Sequence, residues 1–213
     1  MLIKSTTLSE AWEKSIEYLL RMKQNGEELI PTERGDLALE ATNVLLKIEK
    51  PMAGNRISPK YPHERYSEDY SMHLFDQGYN QQVYSRITNI IIGNTDAINQ
   101  SEELVSKLKN EWFSRRAVIS LWNPFEDIHS AHPPCICLLQ FIIRNKQLCL
   151  TSTYRSNDAW LCAPSDMIAI TNLQKNIADK LGFSVGYYAH FAVSYHIYAS
   201  DLPMALSIFN KYE

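Results

Sequence analysis

The stretch Pro133-Pro134-Cys135, followed downstream by Tyr154-Arg155-Ser156-Asn157-Asp158, holds residue types able to do covalent chemistry on an anionic substrate. Two successive prolines stiffen the backbone and keep it out of a helix, so the sulfur of Cys135 is held in one place. Arg155 and Ser156 supply a planar cationic fork and a hydroxyl, both donors to phosphate oxygens. One reading is therefore a thiolate nucleophile facing a phosphate-bearing substrate. The plainer reading is that most cysteines are small buried hydrophobes and that most Arg-Ser pairs lie on the surface.

The bulk numbers narrow the setting. Of 213 residues, 45% are hydrophobic and 21% charged, which suits one globular domain spanning residues 1–213. A net charge of −3 and a pI of about 6.1 exclude a broadly basic face for nucleic acid, so the basic residues that matter are local. Met1–Glu10 carries no apolar leader, and no run reaches the ~18 apolar residues of a membrane span, so a cytoplasmic chain without membrane contact is expected. Cys135, Cys137, Cys149 and Cys162 then read as free thiols. A Cys-x-Cys pair with scattered partners is poor spacing for a metal, and none is expected.

The elements that must position these groups show in the periodicity. Trp12, Ile16, Leu19 and Leu20 recur at helical spacing before Gly26, predicting a helix over 9–24. Val44, Leu46 and Ile48 alternate with polar neighbours, predicting a strand over 40–49 after the polar turn Arg34-Gly35-Asp36. Residues 50–63 read as a loop, and helices are expected near 64–77, 80–93 and 101–110. The second half is β-rich: Val118–Trp122, Ile136–Ile143 and Leu148–Tyr154, the last two joined through Arg144-Asn145-Lys146 as a hairpin. From Pro164 the apolar spacing predicts a helix ending at Gly182. A strand over Ser184–Tyr198 and a helix over Leu202–Asn210 follow. The pattern is α+β, built on one large sheet.

Taken in order, Ser114-Arg115-Arg116, Trp122-Asn123, Pro133-Pro134-Cys135, Gln140-Phe141, Arg155-Ser156 with Asp158, Pro164, and His196-Ile197-Tyr198 make the chain resemble the thymidylate synthase and cytidylate hydroxymethylase superfamily. The match covers roughly residues 111–200 with good specificity, and the compact archaeal-type branch is the nearer one. The resemblance implies a three-layer α+β fold, a large twisted mixed sheet backed by helices, dimerising through the sheet. It also implies a role for each matching residue. Cys135 attacks C6 of a pyrimidine nucleotide, making C5 nucleophilic toward the one-carbon unit of 5,10-methylene-tetrahydrofolate or a methanopterin analogue. Arg155 lies beside the sulfur, able to lower its pKa, and binds the substrate phosphate with Ser156 and Arg34. Arg115 and Arg116 reach that phosphate from the other subunit of a homodimer. His196 and Tyr198 hold the sugar hydroxyl, and Asp158 acts with Cys135 near the base and the folate. Taken singly, the arginines also read as solvated and His196 as a core histidine.

The residue that reads the base in this family is an Asn two places after the proline, where this chain has Asp166 after Pro164-Ser165. Uracil offers a donor at N3 and an acceptor at O4, which a carboxamide matches. Cytosine reverses both, and a protonated carboxyl matches it by donating to N3 and accepting from N4. A mispaired buried polar group is costly, so this one exchange can redirect specificity. The same exchange marks the cytidylate hydroxymethylase branch, although a carboxylate is also favoured in any helix's first turn. Ile136, Tyr154, Ser165 and Ser194 depart from the common bacterial pattern, and Glu64 and Glu68 are the candidates for its proton-relay glutamate. The leading expectation is hydroxymethylation of a cytidine monophosphate, CMP or dCMP. Methylation of dUMP to dTMP and a non-catalytic nucleotide-binding role are the alternatives.

Overall fold

The periodic segments fold as their patterns dictate in the computed structural model, which describes residues 1–63, 81–91 and 96–209. The expected helix near 64–77, with Glu64 and Glu68, lies outside the described residues. The first helix, α1 (Leu8–Gln24), is opened by Thr7, whose side chain accepts from the Glu10 N–H, while Glu10 reaches back to the Thr6 N–H. Its buried stripe of Leu8, Ala11, Trp12, Ser15, Ile16, Leu19 and Leu20 is the apolar face read from the sequence. Two short helices follow: α2 (Gln81–Thr88), which stops short of the expected 80–93 because Ile90 pairs with Ile98 instead, and α3 (Gln100–Asn110), in the expected place. A one-turn α4 (Pro124–Asp127) starts at Asn123. The long α5 (Ala163–Leu181) ends where Gly182 takes φ 71° and the Phe183 N–H reaches the Ala178 carbonyl. The last helix is α6 (Leu202–Phe209).

The strands are β1 (Leu2–Ser5), β2 (Ile30–Pro31), β3 (Leu37–Ile48), β4 (Ala117–Ser120), β5 (Ile136–Arg144), β6 (Gln147–Asp158) and β7 (Ser184–Tyr198). They form one mixed sheet in the order β1-β3-β7-β6-β5-β4, with β2 also paired to β3. β1–β3 and β6–β7 are parallel and the other pairings antiparallel. The hairpin between β5 and β6 turns on Asn145 (φ 51°) and Lys146 (φ 58°), both left-handed as a two-residue type I′ turn requires. β1, β2 and α4 escaped the sequence reading because two to four residues are too few to show a period.

One level of the sheet departs from regular alternation. In β3 the core-facing residues are Leu39 and Ala41, then Val44, Leu46 and Ile48, so the parity reverses at Asn43 (φ 55°). In β7 it reverses between Ala192 and Tyr195, in β6 between Tyr154 and Asn157, and in β5 between Ile136 and Leu139. The registers Thr42↔Ser194, Val44↔Ala192, Tyr154↔Ala192, Ser156↔Ser194 and Ile136↔Tyr154 place these reversals side by side. In β5 the extra residue is Cys137, whose carbonyl accepts from both the Leu121 and Trp122 N–H groups. The result is a row of β-bulges crossing four strands, which bends the sheet and re-aims the side chains beside it.

One face of the sheet carries the helices, in contact with one another in the order α6-α1-α5-α3-α2. Trp12 is the keystone of that layer: it packs on Tyr61, Trp160 and Phe209, and its indole N–H donates to the Ala159 carbonyl at 2.8 Å. The loop over 50–63 is pinned by Arg56, which donates to Asn172, Thr171 and the Ile168 carbonyl of α5. Among the described residues no helix is long and apolar enough to cross a membrane.

Arg86, on α2, is buried, and its guanidinium grips both oxygens of Asp127 at 2.6 and 2.8 Å and donates to the Leu121 carbonyl. Burial works to raise the Asp127 carboxyl, but the Arg86 fork and the Asn123 N–H outweigh it and hold that carboxyl below its ordinary range. This pair ties α2 to α4 beneath the cleft described below. Arg86→Met, which strands a buried carboxylate, is expected to cost about 3–5 kcal/mol in urea unfolding.

Candidate active site

Cys135 stands at the entry to β5, directly before the bulge. Arg155 holds it there: the Arg155 N–H bonds the Cys135 carbonyl at 2.9 Å, Nε bonds the Pro134 carbonyl at 3.1 Å, and Nη2 bonds the Pro133 carbonyl at 2.9 Å. The same Nη2 lies 3.8 Å from the Cys135 sulfur. The rigidity expected of the two prolines is thus doubled by a cationic clamp across the sheet. Cys135 is exposed to solvent, but the protein crowded around it pushes its thiol pKa up. Arg155 and Arg34 pull the other way, and Asp166 adds to the rise. The expectation that Arg155 favours the thiolate has the right sign, but burial outweighs it.

Cys135 and Asp166 line one cleft of about 220 Å³, together with Pro133, Pro134, Tyr154 and Ile170. Gln82, His132 and Ile136 also line it, so the walls set apolar side chains beside one thiol, one carboxyl, an amide and an imidazole, a mixture suited to a small polar ring. Asp166 lies in the first turn of α5, as a capping carboxylate does, and it is buried as well. Its Oδ2 accepts from the Asn157 side-chain amide at 2.8 Å. Val83 of α2 and Ile170 of α5 extend the apolar part of the wall.

A second group gathers where β6, β7 and β3 end. Asp158 pairs in register with His196, which also faces Glu40, and the His196 ring meets Tyr198 edge-on at 4.9 Å. Burial lowers the His196 pKa, so its ring is neutral at pH 7. Asp158 is pushed up to about 6 by burial, against the hydrogen bonds its Oδ1 accepts from the Leu161 and Trp160 N–H groups. Arg34, in the β2–β3 turn, lies 5.9 Å from the Tyr198 ring. Its charge is felt at Cys135, Asp158, Cys162, His196 and Tyr198, so it couples the two groups electrostatically. Ser156 sits between them, level with Ser194.

Arg115 and Arg116 stand apart. Both are exposed; Arg116 pairs with Glu111 at 2.7 Å, and Arg115 lines a shallow pocket with Gln140, Ile142 and Thr151 on the sheet face opposite the helices. Within one chain they do not reach the cleft. Several residues of the site were not foreseen. Asn157, His190, Tyr188 and Ser152 are buried and bonded in line behind Asp166. Cys162, whose thiol burial pushes well up, is near enough for the charges of Asp166, Asp158 and Cys135 to raise it further. The signal for the first group was present, since polar residues on the core-facing parity of two adjacent strands must find partners.

The chain matches the family described as thymidylate synthase over residues 57–211. It is 33% identical to a Methanocaldococcus jannaschii protein named "Putative thymidylate synthase", covering 92% of this chain and 90% of the relative. Proteins of the same name from Methanococcoides burtonii (32% identical, 94% and 90% covered) and Methanosarcina barkeri (27% identical, 97% and 94% covered) are similar over their length.

The raised pKa of Asp158 has a consequence for stability. Its carboxyl holds a proton more tightly folded than unfolded, so the unfolded chain binds fewer protons and stability falls as pH rises. The contribution is full below the ordinary value of 3.8 and lost by about 6. Asp158→Asn keeps an oxygen for the two backbone donors and removes the titration. The difference in urea midpoint between the original chain and this variant is expected to change between about pH 4 and 6 and to be flat above about 6.5.

Proposed function

We propose that this chain, which belongs to the thymidylate synthase family of one-carbon transferases, hydroxymethylates C5 of a cytidine monophosphate with 5,10-methylene-tetrahydrofolate as the carbon donor. The observation that carries the base assignment is Asp166, a buried carboxyl lining the same cleft as the Cys135 sulfur. An asparagine there complements uracil, and a protonated carboxyl complements cytosine N3 and N4.

The chain's own residues supply the following steps. Cys135 loses its proton and its sulfur adds to C6 of the base, so the C5–C6 double bond opens and C5 becomes a carbon nucleophile. The raised thiol pKa makes this step depend on bound substrate and on the two arginines, which favour the anion. Arg34 and Ser156 receive the substrate phosphate, joined by Arg155, whose Nη2 already touches the sulfur. A homodimer formed through the open sheet face brings Arg115 and Arg116 of each copy to the other's phosphate. His196, neutral, and Tyr198 hold the sugar hydroxyl. Asp158, with a pKa of about 6, exchanges protons near neutrality. When bound, the folate supplies a one-carbon unit at the oxidation level of formaldehyde; a methanopterin carrier provides the same unit. C5 takes that unit as the donor amine departs, and the C5 proton is lost. Water adds to the resulting exocyclic methylene and supplies the hydroxyl, and departure of the Cys135 thiolate restores the aromatic base.

The name shared by the relatives favours a second reading, methylation of dUMP. Release of tritium from C5-labelled CMP, dCMP and dUMP, each with methylene-tetrahydrofolate, separates the two. Release from a cytidine nucleotide is the expected result, and release from dUMP alone would overturn the cytidylate assignment. Cys135→Ala is expected to abolish release from every substrate. Asp166→Asn is expected to move preference toward uracil by about 10- to 100-fold, the worth of one mispaired buried polar group.

A further inference from the structure

Behind Asp166 runs an unbroken line of buried polar side chains contributed by β6 and β7. Asn157 Nδ2 is 2.8 Å from Asp166 Oδ2, and Asn157 Oδ1 is 3.1 Å from His190 Nε2. His190 Nδ1 is 3.0 Å from the Tyr188 hydroxyl, which is 2.7 Å from Ser152 Oγ. Asn157 is 2% exposed, and Ser152, Tyr188 and His190 are 0% exposed. Tyr154, a wall of the cleft, stacks on the His190 ring at 4.6 Å. The bulge row is what turns Asn157 inward, because its parity is opposite to that of Ser152 and Tyr154.

Such a chain has only two self-consistent directions, since each bond needs one donor and one acceptor. In the first, Ser152 donates to Tyr188, Tyr188 to His190 Nδ1, His190 Nε2–H to Asn157 Oδ1, and Asn157 Nδ2–H to Asp166 Oδ2. Every hydroxyl, ring and amide group in the line then has its partner. In the reverse direction Tyr188 donates to Ser152, and the buried Ser152 hydroxyl hydrogen has no acceptor among the described side chains. That is the state buried donors avoid. Burial lowers the His190 pKa to about 3, so the ring stays neutral and carries the single N–H that a one-way chain needs.

The direction matters at the far end. In the first, Asp166 Oδ2 accepts from Asn157, which favours the carboxyl proton on Oδ1, the donor that cytosine N3 requires. In the reverse, the proton is spent on Asn157, and only acceptors face the base, which suits the N3–H of uracil. We propose that Ser152, Tyr188, His190 and Asn157 form a one-way hydrogen-bond relay that positions the Asp166 carboxyl and dictates which of its oxygens can carry a proton, making these four residues determinants of base specificity. The inference rests on the assignment of Asp166 as the base reader, and the relay residues act through it as positioning residues.

Two measurements test it. Nitrogen-15 NMR of the intact protein at pH 7 is expected to show His190 as the neutral Nε2–H tautomer; the Nδ1–H tautomer or a protonated ring would overturn the relay. Equilibrium titration with the matched pairs dCMP and dUMP, and CMP and UMP, gives the ratio of dissociation constants without requiring turnover. His190→Gln keeps a donor and an acceptor in line and is expected to hold the ratio within about twofold, whereas His190→Leu is expected to shift it toward uracil by about tenfold or more, as expected for a mispaired polar group. Tyr188→Phe, which frees the ring to change tautomer without emptying the core, is expected to shift it the same way by less, and supplies the answer if His190→Leu fails to fold. Equal weakening of both bases, with the ratio unchanged in both disruptive variants, would make the line merely structural. If the original chain prefers uracil, the cytidylate assignment falls, while the tautomer and the response of the ratio still decide the relay.

Discussion

Four neighbouring strands change their inward-facing parity at one level, and the position of almost every group in the site follows from that row of bulges. A strand that alternates without interruption sends residues two apart to the same face. Because the parity of β6 reverses between them, Tyr154 and Asn157 both point into the helix-covered core, while Arg155 crosses to Pro133, Pro134 and Cys135. In β5 the extra residue is Cys137, beyond which pairing resumes at Ile136 and Cys135 is held by the Arg155 N–H. Asn43 absorbs the same step in β3 by taking a left-handed conformation that a β-branched residue would resist. Because the bulges are hydrogen-bonded neighbours, none can be removed without breaking register with the next strand.

The electrostatics of the site is a contest between burial and a few placed charges. At Cys135 and Asp158 burial wins, and both are held in their protonated forms further up the pH scale than in water. At Asp127 a bidentate arginine wins instead, and the carboxylate is structural. The difference is geometric: Arg86 meets Asp127 at hydrogen-bond distance with both prongs, whereas Arg155 spends its donors on two carbonyls and only grazes the sulfur at 3.8 Å. A thiol kept protonated is less open to adventitious oxidation than a standing thiolate.

Much of the fold was legible from the chain alone because its long elements carry their own signals. The stripe of α1, the Pro164 start and Gly182 stop of α5, and the Asn145-Lys146 turn are local, and local chemistry settles them. The short strands β1 and β2 were not legible, since their existence depends on β3 offering an edge. In the site, Cys135, Arg155 and Asp166 gather about one cleft, and Asp158, His196, Tyr198 and Arg34 gather at the neighbouring strand ends. Arg115 and Arg116 do not, because the face they occupy looks away from the helices and from the cleft.

By itself the sequence determined which groups are present and how stiffly each is held: a cysteine behind two prolines, a carboxylate in a helix's first turn, an arginine one step from a serine. Only the tertiary structure decided their states. The sign of the net shift at Cys135 depends on crowding by segments far apart in the chain. The bonds reaching Asp166 depend on a line of buried polar side chains that runs back to Ser152, on the parallel pairing of β6 with β7, and on the parity reversal that turns Asn157 inward. Identity is a property of one residue. Protonation and hydrogen-bond direction are properties of everything packed around it.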